Sequence, residues 1–331
     1  MSSIGGPHEF KHRLTPPKKK PSLFADMWTG GVSTAVACIF TNPMEVVKTR
    51  LQLQGEMLGK GVPKAYNGVV DAFVKIAKTE GITALQKGLV PGALYQFSMN
   101  GVRLGSYPTL KRLFKDDGTS SLHNFPKQLG AAAIAGGLGA AAGSPLFMIK
   151  CRLQAMSKAA ALGQGALGHQ HSYTGVVDGF RQVLKEEGWR GLFRGVDGAI
   201  PRVMVGSGSQ LSTYDTIKRF FISREIVSDG LFCHTLSSFA SGLIVTTIMN
   251  PFDVVSTRLY NQPQGARRMY TGPVDCFAKT YKAEGLPGFY KGWLAHYSRL
   301  GPHTVLCLVF WEQFKQLAED WGLNWHVTRL S

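Results

Sequence analysis

Charge is scarce in this chain. Only 18% of its 331 residues are Asp, Glu, Lys or Arg, against roughly 25% in an ordinary soluble protein. Cysteine is scarce and scattered, at Cys38, Cys151, Cys233, Cys276 and Cys307, with no Cys-x-x-Cys pair. A disulfide framework and the usual zinc motifs are therefore excluded. His169-x-His171 lies in a Gly/Ala/Gln-rich loop and reads as no metal site. No apolar core of signal-peptide length precedes Leu23, which excludes a secretory signal. Pro16 and Pro17 argue against an amphipathic transit helix, so residues 1–22 read as a disordered basic tail. No nucleophile–base constellation marks an enzyme, and no cofactor is implied. The weakly phosphate-loop-like "GGLGAAAG" at 136–143 falls inside an apolar helix and reads as packing.

Glycine, by contrast, is abundant at 39 residues, and 37 Lys+Arg outweigh 21 Asp+Glu to give a formal charge of +16. With a near-zero mean hydropathy, this composition suits polar-lined membrane helices better than a soluble enzyme. The basic excess fits nucleic acid, anionic lipid or an anionic substrate alike.

Pattern narrows the choice. "NPMEVVKTRLQ" from Asn42 returns as "SPLFMIKCRLQ" from Ser144 and "NPFDVVSTRLYNQ" from Asn250, with prolines at 43, 145 and 251. A second element follows each, from Tyr66, Tyr173 and Tyr270, ending in acid-Gly. A third, "ALQKG", "GLFRG" or "GFYKG", ends at Gly88, Gly195 or Gly292. Three elements in three copies at one period indicate a repeat architecture. Each copy reads as an apolar helix (24–53, 126–154, 231–260), a short amphipathic helix (67–79, 174–186, 271–283) and a second long helix (90–115, 197–223, 294–318). Each long helix can span roughly 30 Å of hydrocarbon. The expected fold is an all-α membrane protein of six transmembrane helices in three pseudo-symmetric repeats, at 23–118, 119–225 and 226–320, with a tail at 321–331. Ionisable residues on such helices must face a cavity or a partner. A soluble basic helical-repeat protein that binds nucleic acid is the reading of another class. It explains the charge, but neither the acid–base pairs that recur after each proline nor apolar runs such as Val305–Trp311.

The motif Pro-x-acid-x-x-base-x-base, then acid-Gly, then aromatic-base-Gly resembles the signature of the mitochondrial carrier family, over residues 23–318. The resemblance implies helices bent at Pro43, Pro145 and Pro251, and a matrix-side gate in which the acid of one odd helix meets the base of the next. Glu45 then pairs with Lys150, and Asp253 with Lys48. The third position joins Phe147 to Ser256, so both charges of one bridge are missing and an apolar plug stands in their place. Gln52, Gln154 and Tyr260 fall where the family places braces. At the other end, Tyr214-Asp215-x-x-Lys218 and Trp311-Glu312-x-x-Lys315 imply bridges Asp215–Lys315 and Glu312–Lys111, with Pro108 depriving Lys218 of its acid. The central contact level falls at Tyr95-Gln96, Arg202-Val203 and Arg299-Leu300, with Arg103 two turns further along. Within the family, Tyr95-Gln96, "SPLF" and "RLGSY" at 103–107 are similar to the oxaloacetate–sulfate branch.

The resemblance thus implies an alternating-access carrier of small dianions, not an enzyme. A dicarboxylate/phosphate exchanger and an uncoupling-type carrier are the alternatives. It further implies a monomer in the mitochondrial inner membrane, multi-pass, with both termini toward the intermembrane space. A small anionic substrate and bilayer lipid, including cardiolipin at the matrix helices, are its partners; nucleic acid is not. His303, four residues past Arg299, reads first as a packing residue and second as a group for proton coupling.

Overall fold

The computed structural model describes residues 23–57, 64–114, 125–158, 167–224, 230–263 and 268–320. The tails at 1–22 and 321–331 lie outside them, as does the side chain of Asp215.

One unit is built three times. The first comprises α1 (Leu23–Leu53), α2 (Val69–Glu80) and α3 (Leu89–Leu113); the second α4 (Phe125–Ala155), α5 (Val176–Gly191) and α6 (Val196–Ser223). The third comprises α7 (Leu231–Asn261), α8 (Pro273–Glu284), the single turn α9 (Leu286–Phe289) and α10 (Trp293–Asp320). The sequence ranges agree within about two residues, except that α5 runs on through a kink at Gly188 (φ 66°). That kink is the counterpart of Gly81 and Gly285, which also take positive φ.

Each long helix packs on its neighbours in chain order, and α10 closes the ring against α1. The ring is polar inside and apolar outside. Phe40, Leu138, Ile248 and Leu308 are exposed, while Glu45, Lys150, Asp253 and Arg258 are buried. A water-soluble fold reverses that arrangement, and a bilayer requires it.

Pro43, Pro145 and Pro251 each lie within one long helix. Pro43 has no N–H to give to the carbonyl of Ile39, and Gln86 Nε2 donates to that oxygen at 3.1 Å instead. The residue before each proline also reaches out of its helix. Asn42 Nδ2 donates to the carbonyls of Leu85 (3.1 Å) and Lys87 (3.2 Å), Asn250 Nδ2 donates to that of Phe289 (2.6 Å), and Ser144 bonds the Tyr260 hydroxyl at 2.9 Å.

The three sequence elements converge on one acid between two bases. Glu80 takes Arg50 (2.6 Å) and Lys87 (2.9 Å); Glu187 takes Arg152 and Arg194 (both 2.9 Å); Glu284 takes Arg258 (2.7 Å) and Lys291 (2.6 Å). The three motif arginines are fully buried. Each also donates to a carbonyl near the end of the next odd helix: Arg50 to Gln154, Arg152 to Tyr260 and Arg258 to Gln52. The repeats are thereby tied in a circle. The closing glycines explain their own presence. Gly88 and Gly292 adopt φ 73°, and a Cβ there would stand 3.0 Å from the Lys150 carbonyl or 3.1 Å from that of Lys48.

Candidate functional site

Two and five residues past Pro43 and its counterparts, helical spacing turns the acids and the bases, respectively, toward the centre of the ring. Lys48 Nζ meets Asp253 Oδ2 at 2.7 Å, and Lys150 pairs with Glu45 Oε2. All four side chains are at most 9% exposed. The other oxygen of each acid faces an arginine from an even helix. Arg299 Nη1 lies 2.7 Å from Glu45 Oε1, and Arg202 Nη1 lies 3.6 Å from Asp253 Oδ1. Two carboxylates thus face four cations, a formal excess of two positive charges in a buried volume. Hydrogen bonding is incomplete there: Arg202 Nε, Arg299 Nε and Asp253 Oδ1 are buried without a partner. Such groups are costly unless a ligand completes them.

The third gate position is apolar. The Phe147 ring sits tilted against Tyr95 (4.9 Å) and edge-on to Tyr260 (5.0 Å), with the Arg202 guanidinium 4.8 Å and Lys150 Nζ 5.5 Å from its centre. Its aromatic face takes the place of the missing acid in neighbouring those two cations. Ser256 is fully buried and its hydroxyl has no partner.

The contact pairs divide. Arg202 Nη2 donates to the Tyr95 hydroxyl at 3.1 Å, and Gln96 Nε2 bonds His303 at 3.0 Å. Val203 packs instead on α4 at Gly136, and Leu300 on α7 at Gly242, so neither joins the cluster. Arg103 is half-buried and forms no ion pair among the described residues. Of the braces, Gln52 alone touches a bridge: its Nε2 donates to Asp253 Oδ2 at 2.6 Å, and its Oε1 accepts from Thr257. Gln154 donates to Asn42 and accepts from Thr49, and Tyr260 bonds Ser144, so these two lace helices together without reaching a gate charge.

At the opposite mouth no ion pair among the described residues joins Lys111 to Glu312, and Lys111 is not free. Lys315 lies over the Trp311 ring at 4.4 Å, and Lys111 stands 6.0 Å from the centre of the Tyr107 ring. Lys218, which the sequence reading left without its acid, is not free. The proposed bridge from Asp215 lies outside the described side chains. The gate formed after the prolines is thus latched by two ion pairs.

Sequence reasoning missed two features of the site. His296, four residues past Gly292, is buried with Nδ1 3.2 Å from Asn250 Oδ1 and 3.8 Å from Asp253 Oδ2. Its counterparts are Gly92 and Ala199, so the departure from repeat symmetry was the available signal. The other is a strap at 167–171, which touches the ends of all three odd helices. Leu167 bridges to Gln54 beyond α1; Gln170 Nε2 donates to the Ala155 carbonyl at the end of α4; Asn261 Nδ2, ending α7, donates to the His169 carbonyl at 3.0 Å. Gly168 (φ 49°) permits the crossing, since a Cβ there would stand 3.0 Å from both Asn261 Nδ2 and Glu56 Oε2. His171 Nε2 bonds the Asn261 carbonyl at 3.1 Å. Burial and the nearby Arg152 push its imidazole down to about 3.

Glu56, under that strap, accepts from the Tyr270 hydroxyl at 2.9 Å, but its second oxygen has no partner. Burial pushes its carboxyl up from the ordinary 4.5 to about 7, against the pull of Arg258. Between those values the folded protein keeps a proton that the unfolded chain has lost, so this group's contribution to stability falls as pH rises through the window. Glu56→Gln is expected to remove that fall. Its melting temperature should exceed the wild type's by more at pH 8 than at pH 5, as read by thiol-reactive dye unfolding in detergent. A constant difference would refute the assignment.

A sequence profile described as "Mitochondrial carrier protein" matches residues 19–118, 121–225 and 228–320. The chain belongs to the mitochondrial carrier family. Among its relatives, Solute carrier family 25 member 35 of Homo sapiens is 43% identical over 300 residues, covering 88% of this chain and 98% of the relative. The Mitochondrial oxaloacetate transport protein of Saccharomyces cerevisiae is 40% identical over 304 residues, covering 90% and 91%. The Mitochondrial citrate transporter E of Aspergillus niger is 39% identical over 294 residues, covering 87% and 91%. In this carrier, the three profile matches coincide with the three structural units, and the acid–base pairs of the signature are the buried pairs described above.

Proposed function

We propose that this carrier moves small dianions across the mitochondrial inner membrane by alternating access. The observation that carries the reading is the buried centre: four cations against two carboxylates, with the Nε donors of Arg202 and Arg299 left over. A dianion cancels the excess charge and completes the donors, and guanidiniums suit bidentate carboxylate or sulfate oxygens. Tyr95 and Gln96 complete the contact set, and Arg103 supplies a cation on the way in. The yeast oxaloacetate relative supports a dicarboxylate of that size.

The same arginines couple binding to the gate. Arg299 is shared between Glu45 and the anion, and Arg202 between Asp253 and the anion. An incoming dianion competes for each arginine and leaves each acid to its lysine alone. The odd helices then part, and Asp215–Lys315 and Glu312–Lys111 latch the other mouth. Binding energy offsets the lost ion pairs, and no covalent step is needed. The carrier acts as a monomer with both termini toward the intermembrane space, and cardiolipin seats at the short matrix helices.

Arg103 favours a second reading, a tricarboxylate, because it adds a third arginine two helical turns along from Gln96. Uptake by purified carrier in liposomes, with oxaloacetate, malonate, malate, sulfate, phosphate and citrate each offered alone and against internal anion, tests both. Saturable uptake of a dianion supports the first reading, citrate preference the second, and uptake of none of them rejects both.

A further inference from the structure

His303, on α10, is 8% exposed, and its ring joins three helices. The Thr41 hydroxyl on α1 already donates to the carbonyl of Ala37 at 3.0 Å, so toward His303 Nδ1, at 3.2 Å, its oxygen is the acceptor. The ring proton is therefore placed on Nδ1, and Nε2 accepts. Gln96 on α3 donates its amide N–H to that nitrogen at 3.0 Å, and the Cys307 thiol lies 3.6 Å from it. The Gln96 amide oxygen takes no hydrogen bond from the described residues and is the end left over. Gln96 adjoins Tyr95, whose hydroxyl holds Arg202. A free amide oxygen is the wrong end for an anion: it accepts where the ligand needs a donor.

We propose that His303 is a proton-operated switch of Gln96, in which a proton taken up at Nε2 turns the amide over and presents its N–H groups to the anion. The proposal rests on the anion-carrier reading above. The chemistry balances as one proton bound and one released per cycle, with no other bond made. The doubly protonated ring has two donors. Nδ1–H still gives to Thr41, while Nε2–H needs an acceptor, which Gln96 supplies after a half-turn about its last side-chain bond. The groups facing the ring are Thr41 and Glu45 from α1, Gln96 from α3, Lys150 from α4, and Arg299 and Cys307 from α10. A dianion seated on Arg299 offsets the positive field of Arg299 and Lys150 at the imidazole. Proton and anion therefore favour each other's binding, by equal factors. Such a carrier takes a proton along with its anion.

The test is initial sulfate uptake into liposomes with pH equal on both sides, from about pH 8 to about pH 4.5, a span that reaches below the ordinary histidine range. Sulfate stays a dianion throughout, so the readout belongs to the protein. Wild-type KM is expected to fall about tenfold toward the acid end, the scale of one hydrogen bond to a charged group. His303→Asn should give a KM that does not move with pH. Gln96→Met, which keeps the histidine and removes both ends of the amide, should flatten the profile equally and stands in if the histidine variant does not fold. A wild-type KM independent of pH, or either variant with the wild-type slope, overturns the switch. Absence of sulfate and oxaloacetate uptake by the wild type at every pH overturns the anion reading, and the switch with it.

Discussion

Replacing Arg299 by alanine is expected to cut dianion uptake roughly a hundredfold, the scale of one charge-assisted bidentate contact, while the carrier stays folded. The reason lies in how Glu45 is shared. Its Oε2 is held by Lys150 and its Oε1 by Arg299 at 2.7 Å. Removing the arginine leaves the carboxylate paired, so the gate keeps its latch and loses only the base that the substrate contests. Arg299→Lys should recover part of the uptake, since it restores the charge without the planar fork and the unpartnered Nε. Arg202→Ala should lose as much uptake and more stability. It also strips a donor from the Tyr95 hydroxyl and a cation from the face of Phe147. Uptake in liposomes, beside melting in detergent, separates the two effects. Wild-type uptake by both alanine variants would sink the site.

Asp253→Asn is expected to have the largest effect on stability. Asp253 is fully buried and anchors Lys48 at 2.7 Å and Gln52 at 2.6 Å, with Arg202 and His296 standing just beyond. Neutralising it leaves a buried lysine without its ion-pair partner, a loss of about 3–5 kcal/mol. The variant should melt well below the wild type and leak through the unlatched gate. The exchange Lys48→Asp with Asp253→Lys should recover only part of the loss, because the new lysine would face Arg202. A melting temperature unchanged by Asp253→Asn would show that the pair does not latch the gate. The missing third bridge follows the same physics. With Phe147 in place of an acid and Ser256 in place of a base, no charge is stranded; one buried hydroxyl goes unpaired, a far smaller cost.

Two residues of the expected contact level pack on a neighbouring helix for one geometric reason. Adjacent residues on a helix point 100° apart, so a residue beside a lumen-facing arginine turns toward a neighbouring helix, as Val203 and Leu300 do. Gln154 and Tyr260 occupy brace positions by register, yet their partners are Asn42, Thr49 and Ser144. Beneath Phe147 there is no bridge for Tyr260 to brace. Gln154 is drawn to Asn42, which repeat symmetry did not single out.

The sequence by itself determined the repeat, the span of each helix and which gate charges exist. Those depend on periodicity, on proline and glycine chemistry, and on residue identity at matched positions, all of which survive without coordinates. The tertiary structure decided that Arg202 and Arg299 lean on the gate acids, that His296 enters the gate, that His303 holds Gln96, and that residues 167–171 cross beneath three helix ends. Each of these is a contact between segments far apart in the chain, or a break in the threefold pattern. A period records what the repeats have in common; only the packed ring shows where their differences meet.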